Sequence, residues 1–154
     1  MTALDVHLEA EHLTFTIGGG VHVVPAGAVA LARMLPGDPP AAADLTNAIG
    51  FVLDHLDDVD RELPMAAFAD SIHVRGEGAH VVCAVEVGGP VELPFLLTPD
   101  ALEDVFRTVA TEAARDRAHN PGLPPAWVGQ VVGACCALVA LTRRYRPPHL
   151  VVHA

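Results

Sequence analysis

HNPGLPPAWVGQVVGACCALVALTRRY, residues His119 to Tyr145, decides how the rest of the chain has to be arranged. Asn120-Pro121-Gly122 is a turn signal, and Pro124-Pro125 supplies a ring with preset φ for a first helical position, where no backbone donor is needed. A helix is predicted from about Pro125. Between Trp127 and Leu141 the apolar residues Trp127, Val128, Val131, Val132, Cys135, Cys136, Leu138, Val139 and Leu141 fall on nearly every face, with Gly129, Gly133, Ala134, Ala137 and Ala140 between them. A helix without a polar face is buried, and small residues on it let neighbouring backbones come close. At about 17 residues it only grazes the length of a membrane span. Its interruptions and the Arg143-Arg144-Tyr145-Arg146 stop mark a core helix of a globular protein.

The chain around it has 154 residues, a length that suits one domain over residues 1–154 with one core. Apolar residues make up 51% and charged residues only 18%, more greasy surface than one small domain comfortably hides, which points to a permanent partner surface. All nine basic residues are Arg against 19 acids. The resulting formal charge of −10 repels nucleic acid, polyphosphate and anionic membranes at long range, so neither nucleic acid nor membrane is expected as a partner. Cys83, Cys135 and Cys136 form no CxxC pair and read as reduced core thiols. No secretion signal is visible, which makes the cytoplasm the expected location.

Upstream, Ala3–Ala10, His12–Ile17 and Val21–Val24 alternate apolar and polar side chains around Gly18-Gly19-Gly20. Period-two alternation split by turn residues predicts a three-stranded antiparallel meander, with the triple glycine as hairpin turn rather than phosphate cradle, because a strand and not a helix follows it. Ala26–Leu35 reads as a short helix ended by Pro36-Gly37. Ala41–Leu63 carries Leu45, Ile49, Val52, Leu53, Leu56, Val59 and Leu63 at three-to-four spacing, a long amphipathic helix whose outer Asp54, Asp57, Asp58, Asp60 and Glu62 form a solvated face. Ser71–Val74 is a strand, Arg75-Gly76-Glu77-Gly78 a turn, and Ala79–Val87 a helix. That layout offers helix amides to an anion, although Glu77 opposes one. Val91–Leu97 reads as an extended link. Thr98 caps a helix with Pro99 at its first position and Asp100, Glu103 and Asp104 in its first turn, running to about Ala118. His149–His153 is a last short strand. A small mixed sheet covered by helices is expected, an α/β (α+β mixed) layout.

These segments resemble the second domain of the exopolyphosphatase and guanosine-pentaphosphate phosphatase (Ppx/GppA) family. The similarity rests on Pro25-Ala26-Gly27-Ala28-Val29-Ala30-Leu31, on Asp38-Pro39-Pro40 ahead of the long helix, and on Asn120-Pro121-Gly122-Leu123-Pro124-Pro125, which is similar to the family's R-x-x-x-PGL-x-P turn with Arg115 or Arg117 as its Arg. The resemblance implies a ribonuclease H-like, actin-like ATPase-type lobe over nearly the whole chain. It also implies where the sequence departs from its relatives. Their glycine turn D-[IV]-G-G-G-S-x-E, which holds phosphate through amides, falls on Asp5-Val6-His7-Leu8-Glu9-Ala10-Glu11, where no glycine remains to let the backbone approach an anion. Their G-G-T turn falls on Gly76-Glu77-Gly78, and the Asp after PGL falls on Gly129. The family's first domain, with its catalytic carboxylate, has no counterpart here. The resemblance therefore implies a degenerate, half-length relative that keeps the scaffold and has lost the phosphate chemistry.

Three sets of residues remain as candidate sites. Asp5, Arg75, Gly76 and Gly78 are where a ligand would sit if any of the family's cleft survives. His7, Glu9 and Glu11 share one face of a continuous strand and offer three ligands to a metal. Arg115, Arg117, Arg143 and Arg144, with His119 and Arg146, gather near the ends of the last two helices, where they would meet an anion or the acidic helix of a second copy. As helix C-terminal cations they also complement the dipole with no partner at all. No nucleophile elbow or Cys-His pair suggests covalent catalysis. The reading that follows is a non-catalytic interaction or regulatory module without cofactor, forming a homodimer. The alternatives are a phosphatase acting on polyphosphate or guanosine pentaphosphate with Mg or Mn, and a small-ligand or nucleotide sensor using the cleft beside the Gly76 turn.

Overall fold

The meander forms as its alternation predicts. The computed structural model describes residues 2–154, beginning with β1 (Ala3–Leu8), β2 (Leu13–Ile17) and β3 (Gly20–Val24). Gly18 (φ 57°) and Gly19 (φ 82°) are both left-handed, the backbone that a two-residue hairpin turn with the right twist requires. There follow α1 (Ala28–Ala32), α2 (Ala42–Glu62), a 3-10 turn at Pro64–Phe68, β4 (Ser71–Arg75) and α3 (Glu77–Val87). The chain ends with β5 (Phe95–Leu97), α4 (Pro99–Thr111), α5 (Ala114–Arg117), a 3-10 turn at Pro125–Trp127, α6 (Val131–Tyr145) and β6 (Leu150–Val152).

Six strands make one sheet in the order β3-β2-β1-β4-β6-β5. β1 pairs parallel with β4 and β4 with β6, while β1/β2, β2/β3 and β5/β6 are antiparallel. The parallel strands step in one direction across the sheet, and right-handed crossovers then put their connecting helices over the same face. Burial follows that rule. Leu4, Val6, Leu8, Leu13, Phe15, Ile72, Val74, Leu150 and Val152 are buried, whereas Asp5, His7, Val21, Val23, Arg75 and Leu96 on the opposite face are exposed and Thr14, Thr16, Ser71, His73 and Val151 are half-buried.

The predicted core helix is α6. Every residue from Val131 to Thr142 is buried, and α1, α2, α3 and α4 all pack on it. Its small residues matter where α1 crosses: a Cβ on Gly133 would stand 2.1 Å from the Ala28 carbonyl oxygen. No helix among the described residues is long and apolar enough to cross a membrane.

Several boundaries differ from the sequence expectation. Pro125 opens a 3-10 turn and not the core helix, whose first residue is Val131 after Gly129 and Gln130. Trp127 and Val128 are consequently half-buried and outside the core helix. The Thr98-capped helix, with the Thr98 side chain accepting from the Ala101 amide at 3.2 Å, ends at Thr111 rather than near Ala118, because Glu112 and Ala113 are extended. α1 covers Ala28–Ala32 and not Ala26–Leu35. α3 starts at Glu77, two residues early, and the link before Thr98 contains the edge strand β5.

Candidate functional site

β1 ends at Leu8, and the chain then turns, with the Glu9 amide donating to the His12 carbonyl at 2.9 Å. This loop meets two helix starts. The amides of Ala28, Val29 and Ala30 at the head of α1 donate to the carbonyls of Glu9 (3.0 Å) and Ala10 (2.8 and 3.1 Å). Gly27 permits the contact, since a Cβ there would lie 2.4 Å from the same carbonyls. Free amides in a helix's first turn are the groups that would otherwise hold an anion, and here the protein's own loop occupies those of α1.

The second helix start is that of α3. Gly76 stands before it with φ 119°, and a Cβ there would meet the Leu8 carbonyl oxygen at 2.1 Å, so only glycine fits between β4 and the end of β1. Glu77 puts a carboxylate on the first turn of α3, where it complements the helix dipole and accepts the indole N–H of Trp127 at 3.1 Å. A cavity of about 440 Å³ opens between these parts. Its walls are His7 to Ala10 from the end of β1, Gly76 to Gly78 from the start of α3, and Ala126, Trp127 and Gln130 from the turn before α6. Glu9 and Glu77 both line it, so its fixed charge is negative.

The structure divides the sequence-predicted site residues. Gly76 and Gly78 line the cavity, but Asp5 and Arg75 do not join them there; both project from the open face of the sheet, where Asp5 lies opposite Thr16 and His73 and Arg75 donates to the Ala154 carbonyl at 3.3 Å. His7, Glu9 and Glu11 do not share a strand face, because the strand stops before Glu9. His7 Nδ1 and Glu9 Oε1 are 3.9 Å apart, while Glu11 makes a two-pronged pair with Arg33 at 2.6 and 2.7 Å that holds its carboxyl below the usual range. No group of three or more His, Cys, Asp or Glu among the described residues is placed to hold a metal ion.

The arginine patch is dispersed as well. Arg117 is buried and donates to the carbonyls of Val109, Val128 and Glu112, each at 2.8 Å. Arg143 pairs with Glu103 at 2.9 Å, and Arg144 with Asp57 and Asp60 at 2.7 Å, so the acidic helix that receives it is α2 of the same chain. Arg115 alone of the four is exposed and outside these pairs. Sequence reasoning missed Trp127 and Gln130 as cavity walls. The signal lay in the Pro124-Pro125 pair, which sets a short turn ahead of the helix and so leaves the one tryptophan outside the core.

A second cluster lies on the open sheet face. His73 Nδ1 and His153 Nε2 are 2.6 Å apart with the rings stacked, Ser71 Oγ meets His73 Nε2 at 3.0 Å, and His80 Nε2 reaches the His153 carbonyl at 2.6 Å. Partial desolvation, then the charge of Arg75 and the His73 ring, lower the pKa of His153.

No family model matches the chain, and no curated protein matches it in sequence. Solved structures do match its fold. An exopolyphosphatase-like protein superposes with a TM-score of 0.89 at 17% identity over 99% of this chain and 54% of its own. The type II variant of the Aquifex aeolicus Ppx/GppA phosphatase gives 0.85 at 16% identity over 99% and 53%. An exopolyphosphatase from Cytophaga hutchinsonii gives 0.77 at 14% over 99% and 53%. The chain thus spans about half the length of the structures it matches, and its fold is that of the matched half of these Ppx/GppA proteins.

Proposed function

We propose that residues 1–154 form a single non-catalytic interaction or regulatory lobe of Ppx/GppA type, which works as a homodimer. One observation carries this reading: the first-turn amides of α1 are bonded to the Glu9 and Ala10 carbonyls. A phosphate approaching that turn would have to displace two backbone acceptors, and one entering the cavity would sit beside the carboxylates of Glu9 and Glu77. Both steps oppose binding, the first by leaving carbonyls unpaired and the second by like-charge repulsion. Dimer formation follows from the high apolar fraction, since a lone lobe has surface to cover. Phosphate release from polyphosphate and guanosine pentaphosphate with Mg or Mn provides the test. No turnover above a protein-free blank is expected; turnover abolished by Asp5→Ala or Glu9→Gln would establish the phosphatase alternative instead.

The cavity favours a second reading, a small-ligand sensor, because its volume falls in the range of ligand sites and an indole forms one wall. Trp127 is the only tryptophan, so its emission reports on this cavity alone. A saturable change in that emission with a nucleotide or phosphate compound would select the sensor, and a flat response across the series the interaction module.

A further inference from the structure

We infer that the open face of the sheet is the surface through which two copies of this chain pair, back to back and away from the cavity. The inference rests on the homodimer reading above and names the face that makes it. The helices all lie over the other side, so six strands are left uncovered among the described residues. Three of the six large apolar residues that stand exposed are on this face: Val21 at 61%, Val23 at 51% and Leu96 at 56%. They sit at its two edges, on β3 and β5, with polar groups between them.

The order of side chains across the strands gives the pairing. Strand register places Val21, Thr16, Asp5, His73, Val151 and Leu96 in one row from edge to edge. Consider a two-fold axis lying in the interface, parallel to the strands and between β1 and β4. It reverses that row, so Asp5 of each copy faces His73 of the other and Val21 faces Leu96. The acid then lies over the stacked His73 and His153 rings with the exposed guanidinium of Arg75 beside it, and apolar edge meets apolar edge. The same axis keeps the strand directions of the two copies aligned, as in face-packed sheets about 10 Å apart. A two-fold axis perpendicular to the strands sets Asp5 against His7 and His73 against Arg75; it keeps Val21 on Val23 at the β3 edge but leaves Leu96 without Val21 and sets the two bases His73 and Arg75 together.

Five inter-strand spacings of about 4.8 Å and five-residue strands at about 3.3 Å per residue give a face of about 24 by 17 Å. Two copies then bury about 800 Å² of flat area, and side-chain relief raises the accessible area toward the ~1,000 Å² of a specific interface. A dimer held mainly by this face is therefore a weak one, with a Kd on the order of micromolar.

Sedimentation equilibrium of the full chain, from about 1 to 100 μM, tests the inference across the affinity range of such an interface. The wild type is expected to dimerise. Asp5→Arg, which sets a like charge against Arg75 of the second copy, and Leu96→Glu, which charges an edge, should each raise Kd at least about tenfold. Exchanging the pair within one chain, Asp5→His with His73→Asp, should restore the dimer, while Glu9→Arg at the cavity should leave it unchanged. Circular dichroism melts confirm that each variant is folded, and Leu96, exposed on an edge strand, supplies a substitution that folding tolerates. A dimer indifferent to Asp5→Arg and Leu96→Glu but lost with Glu9→Arg overturns this face while leaving the homodimer reading intact. A wild type that stays monomeric removes both.

Discussion

Arg117 carries a positive charge into the interior and finds carbonyl oxygens there instead of a carboxylate. Its three donors close the end of α4 at Val109 and Glu112 and fasten the turn before α6 at Val128. Those oxygens belong to a helix end and a turn, where carbonyls lack the regular helical donor, which is why a buried cation is tolerated with neutral company. Arg117→Met keeps the stem and removes the donors; it should cost about 3 kcal/mol or more, read as a lower urea midpoint with an unchanged slope. Arg115→Met, at an exposed site, should change the midpoint by less than about 0.5 kcal/mol. In sequence these two arginines are equivalent candidates for the turn motif. Only the extended backbone at Glu112 and Ala113, which restarts the chain as α5, goes with Arg117 inward and Arg115 out.

At the scale of elements, the contact between α1 and α6 depends on the missing side chain of Gly133. A Cβ there would overlap the Ala28 carbonyl oxygen at 2.1 Å and the Ala32 amide nitrogen at 2.9 Å, both backbone atoms that cannot swing aside. Gly133→Ala gains helix propensity of about 1 kcal/mol and still should lower the melting temperature, because α1 must lift from the core and lose the burial of Leu31. A rise in melting temperature would show that the two helices are not held in this contact. The burial of α6 on every face, the meander, the Gly18-Gly19 turn and the Thr98 cap were all legible, since each is a local pattern with a local cause. What was not legible is where elements stop. β1 ends at Leu8 because the Glu9 and Ala10 carbonyls are taken up by the amides of Ala28, Val29 and Ala30 at the head of α1, well downstream; the strand face proposed for His7, Glu9 and Glu11 vanished with it. The acidic face of α2 and the Arg143-Arg144 stop were each visible as runs of charge, yet their meeting within one chain is a product of α2 and α4 flanking α6.

For the molecule as a whole, the core holds its thiols and the Tyr145 hydroxyl neutral, and that sets how stability varies with pH. Burial pushes the Cys83 thiol up to about 12, with the Glu86 charge adding to it, and pushes Cys136 up to about 12; Cys135, fully buried, is raised well above its usual value. Tyr145 is raised by burial and by the hydrogen bond it donates to Asp60. In each case the folded state keeps a proton that the unfolded chain releases above about pH 9, so the stabilisation is complete below that pH and is lost as pH rises toward the folded values. Each such group contributes a slope of about 1.4 kcal/mol per pH unit once the unfolded chain is ionised. Unfolding midpoints in urea should therefore be flat from pH 7.5 to about 8.5 and fall steeply by pH 10. Cys136→Ala costs stability at neutral pH through the space it leaves, but it should make the alkaline decline shallower by one group's share, which separates the titration from simple loss of packing. The same burial keeps all three thiols unreactive toward Ellman's reagent at pH 8 in the folded protein, and they should react together, at the rate of global unfolding, when urea is added. Thiols that modified one by one under native conditions would mean that α6 is reached by local opening, and that the helix around which the other elements pack is not the last part of the molecule to come apart.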